Sequence, residues 1–156
     1  STLSFEGMQS GEPFHGNFKT FTPEVDFSEA EPQKGKIKVS VDITSVTADT
    51  KDQTEALPTP EWFNTVAFPK AEFVSMSILR TGSHAYAATG TLTIRGVSKQ
   101  VTIPFTMEPQ DKVMHAKGEF ELNRHDFAIG SGEWDKESVV AYSVKVKFDL
   151  AATPKI

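Results

Sequence analysis

The sequence predicts an all-β domain, and three observations lead to that fold class. Apolar and polar residues alternate with a period of two over several segments, which is typical of strands with one buried face. Turn signals that contain Gly or Pro separate these segments. Only residues 48–70 break the period. These observations together predict a meander of about eight or nine strands, which closes into a barrel or stacks as a sandwich.

Three segments show the clearest alternation. Residues 36–43, 100–107 and 144–150 each place four apolar side chains on one face, so we predict a half-buried strand in each. Pro104 predicts an edge, a bulge or a widely spaced hydrogen-bond position, because proline has no N–H to donate. Weaker alternation predicts further strands around residues 3–5, 14–18, 25–27, 73–79, 86–94 and 114–122.

Residues 48–70 predict a short helical segment between strands. Asp49 and Thr50 are good N-cap residues, and a helical turn or two over residues 51–57 would end at Pro58. Pro60 is suited to the first position of a second helical turn, which would carry Trp62 and Phe63.

Composition excludes several function classes. The chain has 156 residues, no cysteine and a net charge of −5, which fits one domain without disulfides, cysteine-based metal sites or thiol catalysis. No run of Lys and Arg favours nucleic acid, and no apolar stretch is long enough to span a membrane. The histidines lack metal-site spacing and no catalytic motif is present. We therefore expect no metal site and no enzyme.

The inward faces raise the question of a cavity. They carry no charged residue, and small residues stand where a filled core would prefer bulk, namely Gly16, Ala88, Gly90, Ala116 and Gly118. Small residues beside large rings indicate either closely approaching strands or a hollow interior. A barrel of about eight strands is just wide enough for one small ligand, so the residues alone leave a filled core and a ligand cavity equally open.

Motifs in the same order along the chain resemble those of the YceI-like family of bacterial proteins. They are Phe18-Lys19-Thr20-Phe21 with Val25-Asp26-Phe27, VSVDITSV at 39–46, the block at 57–75, GTLTIRGVS at 90–98 and NRHDFAIG at 123–130. The segments at 12–14, 60–63 and 132–134 further resemble a subgroup found beside membrane b-type cytochromes or as modules of larger secreted redox proteins.

The resemblance implies a fold and a function. The fold is an antiparallel, eight-stranded, lipocalin-like barrel over residues 1–156, with the short helical segment near its mouth. The function is non-catalytic binding of a long polyisoprenoid, of the ubiquinone or prenyl phosphate type, in an elongated apolar channel. The resemblance also implies a periplasmic or secreted protein without a covalent cofactor, whose bound group is a polyisoprenoid or quinone lipid. A dimer, and fusion to or contact with a redox protein, are further expectations.

Aromatic and aliphatic side chains are the candidates for the channel wall, because a prenyl tail offers only methyl and alkene groups. Tyr86 and Trp134 also have a polar tip for a head group, and Arg95, Arg124 and Lys51 are candidates for an anionic one. The predicted ligand-binding residues are Phe14, Phe18, Phe21, Leu57, Trp62, Phe63, Phe68, Phe73, Tyr86, Leu92, Ile103, Phe105, Phe120, Phe127, Trp134 and Val144.

Two other functions remain as alternatives. An interaction module would bind carbohydrate or protein on a sheet face through Trp62 or Trp134. A lipid-modifying enzyme would need a polar group inside the barrel, and the inward faces offer only Tyr86 and methionine sulfur.

Overall fold

In the residues that the computed structural model describes, ten β-strands form one continuous sheet. The structure describes residues 1–27, 30–59, 62–110, 113–127, 129 and 140–154. The strands are β1 Thr2–Gln9, β2 Glu12–Phe18, β3 Phe21–Phe27, β4 Lys36–Asp42, β5 Val46–Ala48, β6 Lys70–Arg80, β7 Ala85–Ile94, β8 Val97–Gln110, β9 Val113–Asn123 and β10 Ser143–Pro154.

The sheet curls back on itself. Its strand order is β3-β4-β6-β7-β8-β9-β10-β1-β2-β5, with antiparallel neighbours, and a short parallel pairing places Thr153 of β10 opposite Asp26 of β3. The chain passes from β2 to β3 through Lys19 and Thr20, and from β4 to β5 through a 3-10 turn at Ile43–Ser45. The two ends of the sheet are therefore joined by the chain itself, and the architecture is barrel-like.

The predicted number of eight strands is wrong, although the all-β class is confirmed. Two long runs, 12–27 and 36–48, each bend and divide into two strands. The bend in the second run has a local cause, because Asp42 Oδ1 accepts a hydrogen bond from Thr44 N at 3.0 Å and pulls the chain out of the extended conformation. The bend in the first run lies beside it, where Asp42 N donates to Thr20 O at 3.0 Å.

Strand alternation agrees with the sequence pattern. In β7 every second residue from Tyr86 to Ile94 is buried, as the period of two requires. Pro104 lies in β8 opposite Ala87 of β7, whereas pairing of β8 with β9 begins only at Thr106. Pro104 therefore lies in a part of β8 that is paired with β7 but not with β9.

One α-helix, α1 Lys51–Ala56, occurs in the described part of the chain. Its N-cap is Thr50, whose Oγ1 accepts from Gln53 N at 3.1 Å. The second helical turn is predicted to begin at Pro60, which lies outside the described residues, and Trp62 follows in a turn. The described residues contain no helix of the length and apolarity needed to cross a membrane.

The interior has two differently packed ends. At the end nearest the β6–β7 turn, the side chains of Ile78, Tyr86 and Met107 are 1%, 0% and 2% exposed and fill the space between the strands. At the other end the sheet surrounds a cavity.

Candidate ligand-binding cavity

A cavity of about 170 Å³ occupies this second end of the interior. Native cores leave few voids larger than one water, so a space of this size is unusual. Empty apolar space costs about 24 cal/mol for each Å³ in core-truncation experiments, which amounts to on the order of 4 kcal/mol here. A sequence that keeps this cavity open gives up stability that larger side chains would restore.

Most of the predicted ligand-binding side chains lie on the cavity wall. They come from strands on all sides of the curled sheet and from the segment after α1. Those on the wall are Phe14, Phe18, Leu57, Trp62, Phe63, Phe73, Leu92, Ile103, Phe105, Phe120 and Val144.

Four of the other predicted residues do not line this cavity, and the fifth lies outside the described residues. Tyr86 belongs to the packed end, where its ring stacks on Phe105 at a centroid distance of 5.6 Å. Phe68 lies against Gly96 in the β7–β8 turn, and Phe21 pairs with Val41 in the sheet. The remaining two are Phe127, which is buried in the 3-10 turn after β9 but is not part of the wall, and Trp134, which lies outside the described residues.

The wall also includes residues that were not among the predicted ligand-binding residues. Most of them follow from the same alternation, and several, such as Ile37 and Phe148, are on faces that the pattern already assigned to the interior. The additional wall residues are Leu3, Phe5, Ile37, Val39, Val41, Ile43, Ala71, Glu72, Ala88, Ile94, Ala116, Leu122, Arg124, Ile129, Val140, Val146, Phe148 and Leu150.

Arg124 and Glu72 are charged residues on this largely apolar wall, and Arg124 is only 2% exposed. Its guanidinium group donates to three backbone carbonyls, Ala141 O at 3.1 Å, Ile129 O at 2.8 Å and Val140 O at 2.6 Å. Buried charge is costly unless such partners replace water. Arg124 therefore ties the segment before β10 to the 3-10 turn after β9.

Two aromatic rings flank the Arg124 guanidinium carbon. It lies 5.5 Å from the centre of the Trp62 ring and 5.1 Å from that of Tyr142, which is cation–π distance. Trp62 is 8% exposed, so its ring faces the interior. It therefore does not provide the exposed platform that carbohydrate binding through Trp62 would need.

The two other candidates for an anionic head group lie away from the wall. Lys51 is exposed on α1, with its Nζ 3.9 Å from Glu55 Oε1. Arg95 occupies the β7–β8 turn with a φ of 55°. Of the three cations suggested by the sequence, Arg124 is the one that reaches the cavity.

Fold and site together define a class: an all-β protein whose curled antiparallel sheet encloses an apolar cavity. The family model described as the YceI-like domain matches residues 1–152. The chain therefore belongs to the YceI-like family.

Relatives and solved structures agree with this assignment. The crystal structure of BcnA from Burkholderia cenocepacia has a TM-score of 0.93 and 33% identity, covering 97% of this chain and 96% of that one. A UPF0312 protein of Photorhabdus laumondii is 27% identical over 139 residues, which are 84% of this chain and 72% of the relative. A polyisoprenoid-binding domain from Saccharophagus degradans shares the fold at 13% identity, with a TM-score of 0.75 and coverage of 96% and 91%.

Proposed function

We propose that this protein binds a long polyisoprenoid lipid in its cavity without transforming it chemically. The observation that carries the proposal is the wall, in which aromatic and aliphatic side chains surround about 170 Å³ of space. An apolar chain needs no directed polar partner, and each CH₂ group that it buries contributes about 0.8 kcal/mol. The polyisoprenoid-binding domain of Saccharophagus degradans, which has the same fold, supports this choice of ligand.

The size of the cavity limits how much of the tail it holds. One water needs roughly 10–15 Å³ of such space, so about 170 Å³ accommodates on the order of ten carbon groups, or about two isoprene units. Part of the gain is lost when a flexible tail is ordered. We expect affinity to rise with tail length until the cavity is full and then to level off.

The finer features of the proposal rest on the family resemblance. They are a ubiquinone or prenyl phosphate head group, a periplasmic or secreted location and a role as a carrier module in an exported electron-transfer system. The protein would supply binding and protection from water, and the redox or transfer chemistry would belong to the ligand and its partner proteins.

Native mass spectrometry after gentle purification tests the proposal. We expect the protein to retain a mass in the prenyl lipid range, or to acquire one when incubated with ubiquinone. Leu92→Trp replaces a leucine side chain on the cavity wall with a bulky indole ring and should abolish retention of the lipid. Thr91→Trp, on the opposite face of β7, should leave retention unchanged. A protein that stays free of lipid in both experiments would contradict the proposal.

A further inference from the structure

Two of the rings on the cavity wall lie directly over glycines of the neighbouring strand. Phe5 of β1 is opposite Gly16 of β2, and Gly7 of β1 is opposite Phe14 of β2. Alternation places all four residues on the inward face. The two pairs are reciprocal, since each strand contributes one ring and one glycine.

The glycines leave no room for a side chain. A Cβ atom on Gly7 would lie 2.6 Å from both Cε1 and Cζ of Phe14, and a Cβ atom on Gly16 would overlap the ring of Phe5. Real Cβ atoms essentially never approach another heavy atom within 3.0 Å. Any side chain at either position must therefore displace the ring above it.

Gly90 and Gly118 differ from this pair. A Cβ atom on Gly90 would overlap the carbonyl oxygen of Val74, and one on Gly118 would lie 2.5 Å from the carbonyl oxygen of Pro104. A backbone carbonyl is an obstacle at both positions, together with the ring of Phe73 at Gly90 and that of Phe148 at Gly118, so those glycines also allow strands to approach. At Gly7 and Gly16 the three nearest atoms all belong to the opposing ring.

A displaced Phe5 ring has one direction in which to move. It is only 8% exposed and packs on Phe18 at a centroid distance of 5.5 Å, and Phe18 in turn meets Phe63 at 5.9 Å. The sheet backbone closes its other side, whereas the cavity borders the ring as free space. A methyl group at position 16 would therefore push the ring into the cavity.

We propose that Gly7 and Gly16 are specificity-determining residues that set the free width of the cavity. By lacking a Cβ atom they let Phe14 and Phe5 lie flat against the sheet, which keeps the space open for an apolar chain. This inference rests on the proposed function for the identity of the ligand. It assigns the limit on ligand size to two residues that do not themselves line the cavity.

Crystal structures and ligand titrations of matched variants test this inference. The set is Gly16→Ala, Gly16→Ala with Phe5→Leu, and Gly82→Ala as a control in an exposed turn. Each protein is titrated with linear prenyl alcohols of two, three and four isoprene units. In Gly16→Ala we expect the Phe5 ring to lie inside the cavity. Affinity for the longest alcohol that the wild type accommodates should fall roughly tenfold or more, since each CH₂ group left unburied lowers affinity about fourfold.

The double variant should recover the wild-type length limit, because leucine at position 5 lacks the ring that a methyl group at position 16 would displace. Gly82→Ala should bind as the wild type does. Gly7→Ala, alone and with Phe14→Leu, provides a second pair if Gly16→Ala does not fold.

A Phe5 ring that stays out of the cavity, equal weakening of affinity for all chain lengths, or no recovery in the double variant would overturn the inference. A wild type that binds none of the alcohols would contradict the proposed function, and the position of the Phe5 ring would still decide this inference.

Discussion

The packed and hollow ends of the interior are built from the same strands but differ in what their side chains meet. At the packed end Tyr86 touches protein on every side, with Phe105 stacked on its ring and Arg80 Nη2 donating to its hydroxyl at 3.2 Å. At the hollow end Phe18 and Phe120 line the cavity and are only partly buried. One end of the sheet thus provides stability, and the other leaves apolar surface for a ligand.

Phe105 marks the boundary between these two ends. It stacks on Tyr86 and also lines the cavity, and β8 continues from it to Met107 in the packed end. A strand in this sheet therefore serves both regions, and the difference between them depends on side-chain size.

The largest expected effect is at the packed end. Tyr86→Ala should lower the free energy of unfolding by about 3–5 kcal/mol, since it removes a fully buried ring and leaves a cavity among close-packed neighbours. Denaturant unfolding, with the midpoint read at constant slope, measures this loss. A loss below about 1.5 kcal/mol would contradict the distinction between the two ends.

Arg124→Ala tests the buried charged residue on the cavity wall. Its three backbone acceptors would lose their donors, so we expect a loss of about 3 kcal/mol at about 1 kcal/mol for each hydrogen bond. Lys51→Ala, at an exposed position, is the control and should change stability by less than about 0.5 kcal/mol. Equal effects of the two substitutions would show that Arg124 does not hold the wall together.

A bound ligand should stabilise the protein through the hollow end. At a free ligand concentration of about 100 times Kd, a prenyl alcohol raises the free energy of unfolding by about 2.7 kcal/mol. For a chain of this size that corresponds to a rise in Tm of about 5–10 °C, which differential scanning fluorimetry detects. An unchanged Tm at saturating alcohol would contradict binding, because a ligand that binds the folded protein and not the unfolded chain must raise Tm.

Among the substitutions in the interior, Phe120→Ala should have the smallest effect on the ligand-free protein. The ring is partly exposed and faces the cavity, so its loss should cost about 1 kcal/mol. The same substitution should reduce the ligand-induced rise in Tm, whereas Tyr86→Ala should leave that rise largely intact. If Tyr86→Ala reduced the ligand-induced rise in Tm more than Phe120→Ala did, the assignment of ligand binding to the hollow end would be contradicted.

Sequence periodicity predicted the faces of the strands well, because burial on one side of a sheet requires alternation. It did not locate residues along the barrel axis, since Tyr86 and Leu92 have the same pattern but lie in the packed and hollow ends. The division of the long strands depends on a contact between Asp42 and Thr44 that alternation does not encode. The role of Arg124 depends on carbonyls of residues 129, 140 and 141, which only the fold brings together.

The paired glycines show a different limit. Gly16 stands out in the sequence as a small inward residue, but whether it serves a cavity or a close approach of strands depends on what lies opposite. The register places Phe5 there, whereas Gly118 meets both Phe148 and the backbone of Pro104. A residue of one type thus has different roles at two positions.

The central claim is that the hollow end holds an apolar chain and the packed end does not. A crystal structure of the protein incubated with a short-tailed ubiquinone tests it most directly. We predict elongated density between Trp62 and Phe105, in contact with Phe18 and Phe120, and no change around Tyr86. An empty cavity at saturating ligand, or density confined to the outer face of the sheet, would contradict the claim.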